Sequence, residues 1–359
     1  MGRLEVLSIT VTYGDYRALD DVSFEVSDGE RLCLLGPSGC GKTTSLRVVA
    51  GFIRPDAGEV RLAGHGLTGQ PPERRNIGIL FQNYALFPHL TIYDNIAFGL
   101  RMRSMPEATV RQKVTDALSL VRLSSAAGKK PAQLSGGEQQ RIAFARAVVI
   151  EPSLLLLDEP FSNLDARLRQ EMRGELLDLL KPLKIATVMV THDQEEAMAI
   201  ADRIAVMNRG RIEQVGTPSE IYDRPRTPFV AHFVGESNLL SGTARRNGSA
   251  TLVEVPGMGA IAVTSASPFE GAVKALIRPE KIRVLDAPGA ARDSHERVTG
   301  TIERMQYLGH RTQFDVKVGE QTFSAWSLNE RPASGKAGDS VVLEWPRDGV
   351  VLFQGGAGS

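Results

Sequence analysis

The sequence predicts an α/β protein built on a parallel sheet, followed by a smaller all-β domain. Short, continuous apolar runs are typical of strands that are covered on both faces. Segments with helical periodicity alternate with these runs, which indicates βαβ connectivity. Near residue 235 the helical periodicity stops, and short β-like runs separated by Gly, Pro and Ser follow. We therefore expect two domains, residues 1–235 and 236–359.

The core strands and their flanking elements can be placed one by one. Four apolar runs predict buried parallel strands, at residues 31–35, 76–81, 153–158 and 185–190. Period-2 patterns and turn residues predict antiparallel flanking strands at residues 11–26 and 58–64. One helix begins after Asp165 and ends at Pro182, because apolar residues recur at helical spacing at Leu168, Met172, Leu176 and Leu179.

Composition sets limits on the function. Lys+Arg and Asp+Glu number 42 each, so the overall charge gives no indication of a polyanion-binding protein. The first ten residues, MGRLEVLSIT, lack the apolar region of a secretory signal, and no segment reads as a membrane span. The only two cysteines, Cys33 and Cys40, lie in a strand-like run and a Gly-rich loop, which indicates a reducing cytoplasm rather than a disulfide framework.

Residues 36–43, GPSGCGKT, match the phosphate-binding pattern G-x-x-x-x-G-K-[ST] between a predicted strand and a predicted helix. The glycines let backbone amides surround phosphates, while Lys42 reaches the β- and γ-phosphates and the Thr43 hydroxyl ligates Mg²⁺. A Gly-rich turn with a solvated lysine is the alternative, which the strand–loop–helix context disfavours. This segment therefore predicts a P-loop nucleoside triphosphatase.

Polar residues follow three of the apolar runs. Asp158 ends the run at residues 153–158 and Glu159 follows it, at the strand edge where open α/β sheets bind ligands. Asp158 therefore suits Mg²⁺, and Glu159 suits activation of a water. Their alternative role is to cap the next helix. His192 and Gln82 follow two other strands and fit a γ-phosphate sensor and a ligand of Mg²⁺ or water. A lone histidine is, however, more often structural.

Residues 134–138, LSGGE, predict a second anion-binding helix start, because unpaired amides and the positive dipole end meet there. Tyr13 precedes the strand leading towards the P-loop, where it either stacks on an adenine or packs.

These motifs, in this order, resemble the ATP-binding subunits of ABC transporters over residues 1–235. The resemblance implies a RecA-like P-loop core with an antiparallel β subdomain and a helical subdomain at about residues 84–150. It assigns adenine stacking to Tyr13, the Q-loop to Gln82, the base to Glu159, the switch histidine to His192, and Mg²⁺ to Thr43, Gln82 and Asp158. It further assigns the Walker A loop to Gly36, Pro37, Ser38, Gly39, Cys40, Gly41, Lys42, Thr43 and Thr44, the signature to Leu134, Ser135, Gly136, Gly137 and Glu138, and the D-loop to Ser162, Asn163, Leu164 and Asp165.

The resemblance also implies partners. Two copies associate head to tail as a homodimer, and each lends its signature to the ATP held by the other. Two separate transmembrane permease subunits and, indirectly, a solute-binding protein complete an importer at the cytoplasmic face of the inner membrane. Residues 81–90 are expected to contribute to the cleft that receives the permease. Glu138 departs from the usual glutamine of the signature, which puts the contact of that side chain with nucleotide in doubt.

The C-terminal domain resembles the OB-like regulatory region of maltose, polyamine and ferric-iron importer ATPases. Residues 236–359 contain 14 Lys/Arg and 14 Asp/Glu, so they provide no electrostatic footprint for nucleic acid. Its aromatic residues are expected in the core, including Tyr307, Phe314, Trp326 and Trp345. Dimerisation or regulation is the expected role.

The cargo and the broader function leave alternatives. Residues 233–244, 275–284 and 305–316 look most like spermidine/putrescine ATPases, although ferric-iron and other importers share much of this pattern. A soluble ABC ATPase acting on nucleic acid or ribosomes would predict a coiled-coil insertion or a second motif set. A P-loop kinase would leave LSGGE and the D-loop without a use.

Overall fold

The computed structural model describes residues 3–162, 164–247, 250–264, 269–286, 292, 294–328 and 335–355. The chain divides into two compact units, residues 1–219 and 220–359. Within the described residues no helix is both long and apolar enough to cross a membrane.

The first unit contains two sheets. Its strands are β1 (Leu4–Tyr13), β2 (Tyr16–Val26), β3 (Arg31–Leu35), β4 (Ala57–Leu62), β5 (His65–Gly66), β6 (Ile77–Leu80), β7 (Leu154–Asp158), β8 (Ala186–Thr191), β9 (Arg203–Asn208) and β10 (Arg211–Gly216). Five strands pair in parallel in the order β9-β3-β8-β7-β6, and β10 adds to β9 antiparallel. The order β2-β1-β4-β5 forms the antiparallel sheet. The predicted core and its flanking strands are therefore confirmed.

In the described residues of this unit, six α-helices connect or flank these strands. They are α1 (Lys42–Ala50), α2 (Ile92–Met102), α3 (Glu107–Leu120), α4 (Gly136–Val148), α5 (Ala166–Leu180) and α6 (Gln194–Ile200). The helix predicted after Asp165 is α5, and the Asp165 side chain caps it by accepting a hydrogen bond from the Leu168 amide at 3.0 Å. Helices α2 to α4 occupy the range predicted for the helical subdomain.

The core of the first unit fills the space between the two sheets and α1. Leu34 on β3, Val48 on α1, Leu156 on β7 and Val190 on β8 are at most 1% exposed and belong to one cluster. Cys33 and Cys40 are also buried and free, as the absence of a disulfide framework predicts. This packing fixes the carboxyl ends of the parallel strands, where the polar motifs lie.

The second unit is β-rich, as predicted. It begins with two short helices, α7 (Pro218–Asp223), whose first two residues precede the division, and α8 (Pro228–Phe233). Its strands are β11 (Asn238–Asn247), β12 (Ala250–Val255), β13 (Gly259–Val263), β14 (Gly271–Ile277), β15 (Arg283–Leu285), β16 (His295–Tyr307), β17 (Arg311–Val318), β18 (Gln321–Leu328), β19 (Ser340–Pro346) and β20 (Val350–Gln354). All pairs are antiparallel, in the orders β13-β12-β11-β14-β20 and β15-β19-β16-β17-β18.

The division between the units lies before the predicted boundary at 235/236, and Arg278 provides the reason. This buried guanidinium donates to the carbonyls of Ala231 and Gly235 at 2.9 and 3.1 Å, and to that of Tyr222 at 3.0 Å. It also lies 4.2 Å above the Tyr222 ring. Arg278 thus binds residues 220–235 to the β-rich unit. The change in composition near residue 235, on which the predicted boundary rested, does not report these contacts.

The aromatic residues of the second unit are only partly in its core. Phe314 and Trp345 are fully buried, as predicted. Trp326 is half-buried beneath the Arg311 guanidinium, which lies 3.7 Å from the ring centroid. The prediction for Tyr307 is wrong, because its position at the end of the long strand β16 leaves it 71% exposed.

Candidate active site

The register of the parallel sheet brings the predicted motifs to one edge. Leu35 pairs with Thr191, and Val190 pairs with Asp158. The segments that follow β3, β7 and β8 therefore leave the sheet side by side at its carboxyl edge. They begin with Gly36, Glu159 and His192.

The P-loop is closely packed around two of its glycines. A Cβ on Gly36 would lie 2.4 Å from the Met207 carbonyl oxygen, and one on Gly41 would lie 2.7 Å from that of Ala18. Lys42 is 5% exposed, and its Nζ donates to the carbonyls of Gly36 and Pro37 at 2.7 and 2.9 Å. The loop thus holds its ammonium group within its own turn, next to the amides expected to bind phosphate.

Two tyrosines lie beside the P-loop at the β1–β2 turn, where they pair with each other. Tyr13 is 51% exposed, so a flat ring surface is available for stacking. Tyr16 donates its hydroxyl proton to the Gly39 carbonyl at 2.9 Å. The sequence indicated only Tyr13, as a residue that stacks on adenine or packs. The structure adds Tyr16, whose hydroxyl is hydrogen-bonded to the P-loop.

The Glu159 carboxylate contacts two other predicted site residues, Gln82 and His192. Its Oε2 accepts a hydrogen bond from Gln82 Nε2 at 3.3 Å, and its Oε1 lies 3.2 Å from His192 Nδ1. The Glu159 amide donates to the Val190 carbonyl at 3.0 Å, which extends the strand ladder by one residue. Its φ of +44° is a left-handed conformation that non-glycine residues adopt rarely and that clusters at functional sites.

Asp158 is a half-buried carboxyl group at the end of β7. Its burial, followed by the nearby charge of Glu159, raises the pKa of this carboxyl group. The Thr43 hydroxyl, the Gln82 amide oxygen and the Asp158 carboxylate are hard oxygen donors, which fit Mg²⁺. Within the described residues there is no group of three or more His, Cys, Asp or Glu placed to bind a metal. A metal here would therefore depend on this mixed oxygen set and on phosphate.

The LSGGE segment starts a helix as expected, and Glu138 has a structural partner. Ser135 is the N-cap of α4, and its Oγ accepts from the Glu138 amide at 3.3 Å. The Glu138 carboxylate in turn accepts from the Ser135 amide at 2.8 Å and from its hydroxyl at 3.0 Å. The hydrogen bond from the Ser135 amide and, to a smaller extent, the one from its hydroxyl lower the pKa of the Glu138 carboxyl group. Glutamate thus completes a capping box.

The capping box leads to a prediction about Glu138. Replacing Glu138 with alanine removes both of its contacts to Ser135 and should destabilise the protein by about 1 kcal/mol, whereas glutamine keeps the capping geometry. Urea unfolding of both variants measures the difference. Equal unfolding midpoints for the alanine variant and the unaltered protein would contradict the capping role.

The D-loop follows Glu159 directly. The Ser162 hydroxyl donates to the Glu159 carbonyl at 3.0 Å, and Leu164 is 7% exposed. Asp165 caps α5, so its carboxylate serves the helix start. Asn163 lies outside the described residues.

Known proteins match this chain over nearly its full length. The family model described as ABC transporter matches residues 19–162, and the TOBE domain model matches residues 275–353. The spermidine/putrescine import ATP-binding protein PotA of Thermobifida fusca (strain YX) is 47% identical over 97% of this chain and 92% of its own length. That of Pseudomonas aeruginosa (strain UCBPP-PA14) is 46% identical over 98% of both chains. The chain belongs to the ABC transporter ATP-binding proteins.

A solved structure agrees with this assignment. The cbiO1 protein of Clostridium perfringens, part of the ABC transporter complex cbiONQ, has a TM-score of 0.57 and 30% identity to this ABC protein, over 61% of this chain and 89% of its own. The ABC match lies in the first unit and the TOBE match in the second. The ABC protein thus has an ATP-binding, ATP-hydrolysing unit and a C-terminal OB-like domain.

Sequence reasoning missed two arginines that support the site of this ABC ATPase. Arg146, in the last turn of α4, donates to the carbonyls of Tyr84 and Ala85 at 2.8 and 2.7 Å. Both of those residues have positive φ, so the arginine holds a strained turn shortly after Gln82. Arg169 on α5 binds the D-loop carbonyl of Leu164 at 3.1 Å. Each helix carries more than one arginine, so the sequence did not single out these two.

Proposed function

We propose that this protein is the ATP-hydrolysing subunit of an importer for polyamines of the spermidine/putrescine class, bound peripherally at the cytoplasmic face of the inner membrane. The observation that carries the proposal is the 46–47% sequence identity to spermidine/putrescine import ATP-binding proteins over at least 97% of this chain. The partners are a second copy of the chain, two membrane permeases and, indirectly, a solute-binding protein. The second unit serves dimerisation or regulation.

Glu159 is proposed as the general base of hydrolysis. A water bound at its carboxylate attacks the γ-phosphorus, gives a proton to Glu159, and displaces ADP as the bridging P–O bond breaks. Gln82 and, with the proton on Nδ1, His192 orient the carboxylate through the contacts at 3.3 and 3.2 Å. Thr43, Gln82 and Asp158 would hold Mg²⁺, which would neutralise phosphate charge.

The signature is proposed to act on the ATP of the other copy. Ser135 and Gly136 are exposed at the start of α4, so the hydroxyl and the amides there are accessible to a second molecule. The P-loop surrounds one flank of a triphosphate, and a facing helix start supplies donors to the γ-phosphate from the opposite flank. ATP therefore closes the dimer, and hydrolysis weakens that closure.

The permease is proposed to dock in an apolar groove of about 330 Å³ beside the Q-loop. Phe81, Ala85, Phe87 and Phe98 line it together with Arg146. The rings of Phe87 and Phe98 pack against each other at a tilt of 46°, with centroids 4.7 Å apart, and Phe98 is 42% exposed. Tyr84, by contrast, is only 6% exposed and packs inside the protein.

Replacing Phe98 with glutamate is expected to abolish co-purification with the permeases, because docking would bury the new charge. The matched control is Met102→Glu on the same helix, since Met102 is 71% exposed and lies outside the groove lining. Equal recovery of permeases with both variants would contradict the docking site.

Uptake of radiolabelled spermidine and putrescine tests the cargo. Cells that contain this subunit and its permeases should accumulate both polyamines, whereas a Glu159→Gln subunit should not support accumulation. Uptake of ferric iron in place of polyamines would contradict the proposed cargo while leaving the ATPase assignment in place.

A further inference from the structure

Arg169 contacts two segments of the site at once. From the first turn of α5 its Nη2 donates to the Leu164 carbonyl at 3.1 Å, and its Nη1 donates to Asp193 Oδ2 at 3.2 Å. Its Nε lies 3.7 Å from Glu196 Oε1. The planar guanidinium therefore connects the D-loop to the residues that follow His192.

The two acidic partners of Arg169 fix the backbone on both sides of His192. Asp193 caps α6, because its Oδ1 accepts from the Glu196 amide at 3.1 Å. Glu196, only 3% exposed, accepts the Thr191 hydroxyl proton at 2.5 Å. The Asp193 amide donates to the same hydroxyl oxygen at 3.0 Å. His192 thus lies between two residues that are held by one network.

We propose that Arg169 is a positioning residue that couples the D-loop to His192, and through His192 to the carboxylate of Glu159. This inference rests on the proposed function, which assigns hydrolysis to Glu159 and His192. A D-loop displaced with Leu164 would move the guanidinium and the Asp193 side chain, and the imidazole 3.2 Å from Glu159 would move with them. Hydrolysis would then depend on the D-loop conformation.

Arg173 shows why the assignment falls on Arg169. Arg173 also approaches Asp193, with Nη2 at 3.4 Å from Oδ2, but its other carboxylate partner is Glu195, at 3.1 Å. Arg173 therefore links α5 only to residues that follow His192, at the start of α6. Arg169 adds the contact to the D-loop carbonyl.

A double-mutant cycle on the full-length protein tests the coupling, with steady-state ATPase as the readout. Arg169→Met should lower kcat about tenfold and change the KM for ATP less than about twofold, because it displaces His192 without removing a nucleotide ligand. Arg169→Lys should recover part of kcat, because lysine keeps the charge without the planar fork. In a His192→Ala background, Arg169→Met should cost less than about twofold, since its effect passes through His192.

Arg167→Met is the matched control, because Arg167 lies on the same helix with 92% of its side chain exposed and pairs with Glu171. It should leave kcat unchanged. A full tenfold cost of Arg169→Met in the His192→Ala background would overturn the coupling. If the methionine variant fails to fold, Arg169→Lys in the same cycle gives the same decision. Wild-type turnover by His192→Ala would instead overturn the role proposed for His192, and the coupling with it.

Discussion

Replacing Glu159 with glutamine is expected to lower ATP turnover at least about a hundredfold while ATP binding is kept. The amide retains the size of the side chain and its reach to Gln82 and His192, which lie 3.3 and 3.2 Å from the carboxylate. It cannot take the proton from the attacking water. A nucleotide-bound dimer should therefore accumulate. Phosphate release measures the turnover, and size-exclusion chromatography with ATP measures the dimer.

Glu195→Gln is the control for this prediction. Glu195 is a glutamate close to the same site, but 84% of its side chain is exposed and its partner is Arg173. Its replacement should leave turnover nearly unchanged. Rapid turnover by Glu159→Gln would remove Glu159 from the role of base.

Replacing Gly36 with alanine is expected to weaken ATP binding by about tenfold to a hundredfold. The new Cβ would lie 2.4 Å from the Met207 carbonyl oxygen and 2.6 Å from Cys40 Sγ. Met207 belongs to β9, so its carbonyl is held in the sheet and the P-loop must move instead. Overpacking of this kind costs about 1–3 kcal/mol. Because the displaced loop is the one that surrounds the phosphates, this cost weakens ATP binding.

Gly39→Ala separates crowding from backbone strain. Gly39 has a φ of +79°, but a Cβ there would have no heavy atom within 4 Å. Alanine at this position should cost only about 1 kcal/mol of conformational strain and should weaken ATP binding less. Calorimetric titration with ATP measures both variants, and circular dichroism checks their folding. Equal affinity in Gly36→Ala and the unaltered protein would contradict the packing argument.

The parallel core was predictable because its strands are buried on both faces. In the run at residues 153–158, the four residues from Leu154 to Leu157 are apolar and Asp158 follows them, so both the strand and its functional end could be predicted. The carboxyl edges of such strands meet, and this placed Glu159 and His192 together before any distance was known. The order of parallel strands in the sheet was therefore enough to predict which polar residues share the site.

Other features were not predictable, because they depend on contacts between distant segments. The hydrogen bond of Tyr16 to Gly39 crosses 23 positions, and that of Arg278 to Ala231 crosses 47. No local periodicity reports such pairs. The exposure of Tyr307 was also not predictable. Tyr307 is the last residue of β16, a strand of 13 residues whose end is exposed.

Glu138 illustrates a substitution whose meaning needed coordinates. The sequence raised a doubt about nucleotide contact, and the structure shows the carboxylate engaged with the Ser135 amide and hydroxyl at 2.8 and 3.0 Å. Glutamate and glutamine both complete a capping box, so the helix start is preserved. In the proposed dimer, the Gly136 amide would contact the ATP of the other copy, and the Ser135 hydroxyl would exchange its bond to Glu138 for one to phosphate.

The most direct test of a site shared between two copies is the ATP turnover of an equimolar mixture of Ser135→Arg and Glu159→Gln subunits. Each variant alone should be nearly inactive, since every homodimer lacks either its signature or its base. With random pairing, half of all dimers in the mixture would contain one copy of each variant, and one of the two sites in such a dimer would be complete, so we predict recovery of about a quarter of the wild-type rate. Wild-type turnover by Ser135→Arg alone, with the mixture giving only the average of the two separate rates, would contradict the shared site.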